Sequence, residues 1–119
     1  MITEEQFKII ATELPEVTEA LHSGNTSFQV KKKIFAVINP MEGRATIKLN
    51  ESDQYAFCAF DKSVIYPVPN KWGKHGWTHL NLIKISQEVL QEALVTAYCT
   101  VAPKKLAQLV MLKNDETDF

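Results

Sequence analysis

The chain has 119 residues, 45% hydrophobic and 23% charged, with four Gly, five Pro and two Cys, which suits one domain around a single core. That composition excludes a disordered, collagen-like or disulfide-stapled protein. A net charge of −1 and a pI near 6.3 lie far from the pI above about 9 of a dedicated nucleic-acid-binding domain.

The balance hides an asymmetry. Residues 28 to 84 carry nine cations against four anions, a local charge of +5, whereas residues 1 to 27 carry one Lys against five Glu. A basic middle segment is the footprint of a polyanion partner or simply a solvated surface. No apolar run approaches the roughly 20 residues that cross a bilayer. Met1-Ile2-Thr3-Glu4-Glu5 is acidic where a secretory signal is basic and then apolar. A cytoplasmic protein without membrane contact is expected.

In chain order, Thr3 with Gln6 forms a capping box for a helix over about 4–14, with Phe7, Ile10, Ala11 and Leu14 on one face; Pro15 stops it. A polar stretch with Gly24 and Asn25 follows. Ser27 to Val30, Ile34 to Ile38 and Ala45 to Leu49 then alternate or run β-branched, predicting three antiparallel strands joined by turns at Lys31-Lys32-Lys33 and Asn39 to Gly43. Asn50 caps a short helix over about 51–59 that buries Ala56, Phe57 and Phe60. A fourth strand near Ser63 to Val68 leads into the loop Pro69 to Gly76, and a fifth begins at Trp77. Ser86 caps a long helix carrying Leu90, Ala93, Leu94, Ala97, Tyr98 and Val101, broken by Pro103 before a last turn or two through Leu106, Leu109 and Val110. Residues 113–119 form a polar tail expected to fray.

The order α-β-β-β-α-β-β-α predicts a two-layer α+β domain over 1–119, a five-stranded antiparallel sheet with helices on one face. The other face is expected to stay open and to display Gln29, Thr46, Lys48, Trp77, His79 and Asn81, a polar surface with an aromatic centre.

Several segments together resemble the MmcQ/YjbR family of small bacterial proteins. They are Leu14-Pro15-Glu16-Val17-Thr18-Glu19, Ser27-Phe28-Gln29-Val30 followed by Lys33-Ile34-Phe35-Ala36, Ile47-Lys48-Leu49, Asn70-Lys71 to Gly76-Trp77, and Ala97-Tyr98. The family is described as DNA-binding with a double-wing motif, and the resemblance implies that function and a fold like that of secretion chaperones, with a five-stranded antiparallel sheet. The chain departs from the family at the first hairpin tip, where Lys31 and Lys32 replace frequent glycines and make the tip more basic.

The densest constellation is Asn70 to Trp77, where Trp72, Trp77, Lys71, Lys74 and His75 lie within eight residues beside Gly73 and Gly76. Indoles stack on bases while lysines meet phosphates, or Trp72 plugs the core under a long loop. At least one indole is expected to stay more than a third exposed. Lys31, Lys32 and Lys33 touch a phosphate backbone from a hairpin tip or form a solvated turn. The leading expectation is therefore nucleic-acid binding through these eight residues. The alternative is a chaperone-like module that holds a peptide or protein on the open face. A small-molecule site would show as a deep pocket beside Trp72 and His75.

His75 and His79, four residues along a strand, stand about 13 Å apart, too far to share one metal ion. Cys58 and Cys99 lack a CxxC partner and read as buried reduced thiols. The chain contains no GxSxG, P-loop or GxGxxG, so no catalytic residue, metal or cofactor is assigned and an enzyme is not expected. No heptad seam is visible, and a monomer is expected.

Overall fold

The computed structural model describes residues 1–117, with side chains through Met111. Helix α1 spans Glu4–Thr12, and its capping box forms: the Thr3 hydroxyl accepts from the Gln6 amide while the Gln6 side chain accepts from the Thr3 amide. Strands β1 (Val17–His22), β2 (Asn25–Val30), β3 (Lys33–Asn39) and β4 (Arg44–Lys48) follow, with a 3-10 turn at Pro40–Glu42. Helix α2 (Glu51–Phe60), strand β5 (Ile65–Pro67), the single turn α3 (Lys71–Lys74) and strand β6 (Trp77–Asn81) lead to α4 (Gln87–Val101) and α5 (Lys104–Thr117). The sheet order is β1-β2-β3-β4-β6-β5, antiparallel throughout.

The domain is α+β with one open sheet face, and the sheet has six strands rather than five. The additional strand, β1, lies in the stretch read as polar. It is an edge strand beyond most of the helical cover, with no residue fully buried, so neither its Val17-Glu19-Leu21 face nor its Thr18-Ala20-His22 face gives the alternation a half-buried strand requires. Its signal is the turn instead. Ser23 and Gly24 both take positive φ, joining β1 to β2 by a two-residue hairpin of the kind whose twist matches the strands.

Two other expectations shift. Helix α2 buries none of its residues fully: Phe57 packs half-buried against the core, whereas Ala56 and Phe60 are exposed. Helix α5 runs well past the turn or two expected, burying Leu106, Ala107 and Val110 but leaving Leu109 exposed. Of the tail expected to fray, residues 118 and 119 lie outside the described residues.

The core sits between the sheet and α1 and α4. Phe7, Ala11, Leu90, Ala93, Leu94, Ala97 and Tyr98 meet Phe28, Val30, Ala36, Ile38, Ile47 and Leu80 from the sheet. A bulge opposite Phe28 and Gln29 leaves Phe35 without a cross-strand partner, so that both Phe35 and Ala36 turn toward the core. Phe35 meets the Tyr98 ring edge-on at 5.6 Å. The Tyr98 hydroxyl donates to the Pro15 carbonyl at 2.7 Å, tying α4 to the corner between α1 and β1. Phe35, Tyr98 and Pro15, far apart in the chain, thus form one packed unit. Replacing Tyr98 by Phe removes the donor and leaves the Pro15 carbonyl unpaired, so urea denaturation is expected to show a loss of about 1–2 kcal/mol; an unchanged midpoint would show that water replaces the bond.

Candidate nucleic-acid interface

The strand registers determine what lies together. Lys48 pairs with Trp77 across β4 and β6, and the β2–β3 hairpin tip projects from the same end of the sheet, because Ala36 pairs with Ile47 while Lys33 lies three residues nearer the tip. The α3 loop ends at Trp77 and so emerges there too. One end of the sheet therefore gathers six lysines, Lys31, Lys32, Lys33, Lys48, Lys71 and Lys74.

At the hairpin tip the loop is only Lys31 and Lys32, both with positive φ (50° and 68°), and Lys33 already pairs with Val30 as the first residue of β3. A non-glycine side chain in the left-handed region costs about 1 kcal/mol, which explains why glycines suit this tip. Lys31 does not stand free: its ammonium lies 2.7 Å from Glu16. Both groups are exposed, so the pair adds little stability, but it offsets part of the tip's charge.

The α3 loop is built on close backbone approach. The Asn70 side chain accepts from the Trp72 amide at 2.8 Å and starts the turn. A Cβ on Gly73 would stand 2.0 Å from the Val68 carbonyl oxygen, and one on Gly76, at φ +98°, 1.8 Å from that of Leu49; no side chain fits at either. The Leu49 amide donates to the Gly76 carbonyl. From α2, Gln54 donates to the carbonyl of Gly73 at 2.9 Å and to the Thr78 hydroxyl at 3.1 Å. Thr78, fully buried, donates in turn to Gly76.

This frame holds Trp72 outward. It is 53% exposed, with the Lys71 ammonium 5.9 Å from its ring centre and His75 edge-on at 6.4 Å. It is a surface aromatic and not a core plug. Trp77 is half-buried, covered by Lys48 at 5.4 Å. Lys48 also donates to the His75 carbonyl, so this lysine braces the loop.

The open face is more self-contained than its polarity suggests. Gln29, Thr46, Lys48, Trp77, His79 and Asn81 all point away from the helices and all are half-buried. Thr46 Oγ1 and His79 Nδ1 lie 2.8 Å apart, and the Tyr66 ring packs edge-on to His79 at 5.4 Å. Asn81 accepts from the Ile83 amide and donates to the Ser63 carbonyl, bracketing the far end. Tyr66 and Gln54 were not singled out from the sequence. Alternation along β5, with Ile65 inward, places Tyr66 beside His79, whereas nothing in the chain around Gln54 points to its three distant partners.

An open cavity of about 550 Å³ lies against α3, bounded by Gln54, Pro67, Lys71, Gly73 and Lys74 with neither Trp72 nor His75 in its lining, and a second of about 750 Å³ along α2 shares Gln54 and Pro67 with it. Cys58 and Cys99 are free and half-buried, and burial raises both thiols above their ordinary pKa. No three His, Cys, Asp or Glu side chains converge as a metal site among the described residues, and no helix among them is long and apolar enough to cross a membrane.

Fold and site together define a small α+β domain with a clustered cationic end and a half-buried polar sheet face. The family model named YjbR matches residues 12–100, and the chain belongs to that family. The fold is similar to the crystal structure of Deinococcus radiodurans protein DR2400, described as carrying a DUF419 domain, at 22% identity and a TM-score of 0.73 over 85% of this chain and 79% of that one. No curated protein matches the chain.

His79 gives a pH dependence of stability. Burial, then the nearby Arg44 charge, hold its pKa below the ordinary 6.5, against a smaller opposing pull from Glu42. The unfolded chain therefore binds the proton more readily, and the contribution of His79 is complete above pH 6.5 and lost as pH falls through the folded value. Thermal unfolding between about pH 7.5 and 5 is expected to show a declining midpoint whose slope is shallower in His79→Gln; equal slopes would mean that His79 titrates alike in both states.

Proposed function

We propose that this protein binds nucleic acid, DNA being the partner expected, through the cationic end of its sheet, and that it acts by binding and not by catalysis. The observation that carries the reading is the gathering at one end of the sheet of five lysines from two separate projections, the hairpin tip and the α3 loop, with Lys48 at the end of β4 between them and the exposed indole of Trp72 on the loop. Two projections flanking one end suit the straddling of a backbone by a pair of wings. The lysines supply phosphate contacts without base readout, and Trp72, with Lys71 beside it, supplies a stacking face for an unpaired base. The whole chain is not basic, so the attraction is local and sensitive to salt. Two free cysteines suit a reducing compartment such as the cytoplasm.

The alternative, a peptide held by the sheet, draws on β1, a six-residue edge strand with no proline. The polar groups of the open face favour it less, because Thr46, Lys48, His79 and Asn81 already engage one another or the backbone.

Titration of single- and double-stranded DNA at about 50 and 200 mM salt separates the readings. Duplex affinity is expected to fall with a log–log slope of about −3 to −5, and Lys71→Glu with Lys74→Glu to remove about two units of it. Single strands are expected to quench Trp72 fluorescence. Binding no tighter than millimolar at the lower salt would overturn the proposal, and a salt-insensitive protein partner lost on Trp77→Ala but kept by Lys32→Glu would put the peptide reading in its place.

A further inference from the structure

Strand β1 is an outer edge of the sheet, and its hairpin to β2 determines which of its backbone groups are free. Both loop residues take positive φ, Ser23 at 49° and Gly24 at 85°, the turn in which the flanking pair, His22 and Asn25, exchanges both main-chain hydrogen bonds. Bonded pairs then recur at every second residue, Ala20 with Ser27 and Thr18 with Gln29. The N–H and C=O groups of Val17, Glu19 and Leu21 therefore point outward, away from β2. Their side chains share one face. Val17 and Glu19 stand opposite Val30 and Phe28, both buried in the core, which places all three on the helical side of the sheet. Leu21 is 74% exposed. Glu19, exposed between Leu21 and the half-buried Val17, forms no ion pair among the described residues.

We propose that the β1 edge receives one extended strand of a partner protein, antiparallel, with a Lys or Arg opposite Glu19 and apolar residues opposite Val17 and Leu21, the pattern apolar-x-cation-x-apolar. Main-chain bonds to the three outward residues supply the attachment, and the alternate side chains supply the choice of partner. The inference goes beyond the nucleic-acid reading and does not depend on it. The edge lies across the sheet from the α3 loop and stands in the acidic part of the chain, where residues 1 to 27 carry five Glu against one Lys.

The opposite edge offers nothing comparable. Strand β5 is three residues long and ends in Pro67, with Pro69 just beyond, and proline offers no N–H to a new strand. A second copy of this chain is the poorer occupant of β1. Two copies related by a two-fold axis normal to the sheet keep each residue on its own face, and the register that pairs Val17 with Leu21 sets Glu19 against Glu19. Like charges directly opposite destabilise such a pair. The neighbouring registers set Glu19 against Leu21 or Val17 and leave the carboxylate without a partner.

The test is amide NMR titration of the full chain with the end-capped peptide Thr-Val-Thr-Lys-Thr-Val-Thr, beside a twin carrying Glu in place of Lys. The Lys peptide is expected to shift residues 17–22 saturably, to slow amide exchange at Val17, Glu19 and Leu21, and to bind about fivefold more tightly than its Glu twin. N-methylation of its Lys, whose N–H faces β1, is expected to abolish binding, whereas N-methylation of a Thr beside it is tolerated. Glu19→Lys is expected to reverse the preference between the twins. The side chain is exposed, so the variant should fold, and its unfolding midpoint verifies it. No saturable change in residues 17–22 at millimolar peptide, an unchanged preference in Glu19→Lys, or equal binding of the two N-methylated peptides would overturn the proposal. A dimer of the free protein with exchange slowed at the same three residues would assign the edge to a second copy and overturn it as well.

Discussion

The carbonyl oxygens of Val68 and Leu49 occupy the positions where side chains on Gly73 and Gly76 would begin, and this double backbone contact is what the cationic end of the molecule depends on. It presses the α3 loop onto the ends of β4 and β5 with no side chains interposed, so the path of the loop follows from main-chain hydrogen bonds and from Gln54 rather than from the residues it displays. Trp72, Lys71 and Lys74 are thereby free of structural duty.

The same economy appears across the sheet. The open face holds His79 between Thr46 and Tyr66, and Lys48 between Trp77 and the His75 carbonyl. These contacts satisfy polar groups that would otherwise need water or a partner, and they stiffen the strands from which the α3 loop departs. The polar face thus acts as a platform, and the exposed lysines and the indole of Trp72 lie at its rim, on the hairpin tip and the α3 loop. Charge follows the same division, since the acidic first helix lies on the helical layer while six lysines, one of them paired with Glu16, lie at one end of the sheet.

Much of this was legible in the chain. The capping box at Thr3, the N-caps at Asn50 and Ser86, and the alternation in β4 and β6 each follow from local rules that tertiary structure did not override. The face assignment of Thr46, Trp77 and His79 needed only the period of two. What was not legible depends on distant partners. Strand β1 has no buried face to produce a pattern, and α2, expected to bury three residues, packs through Phe57 while leaving Phe60 exposed, because its position over β5 is decided by Gln54 and by the sheet edge. The pairing of Lys31 with Glu16 follows only once β1 lies beside β2. The role of Gly73 and Gly76 in the α3 loop is close approach, a property of the residues they touch and not of the chain around them.

On the proposed function, the partner meets the end of the sheet where the hairpin tip and the α3 loop converge. Amide chemical-shift mapping of isotopically labelled protein on addition of a short single-stranded oligonucleotide tests it directly. The largest changes are expected in residues 31–33 and 70–77, with smaller ones at Lys48. Changes concentrated instead along β1, from Val17 to His22, or on the outer surface of α4, would contradict it.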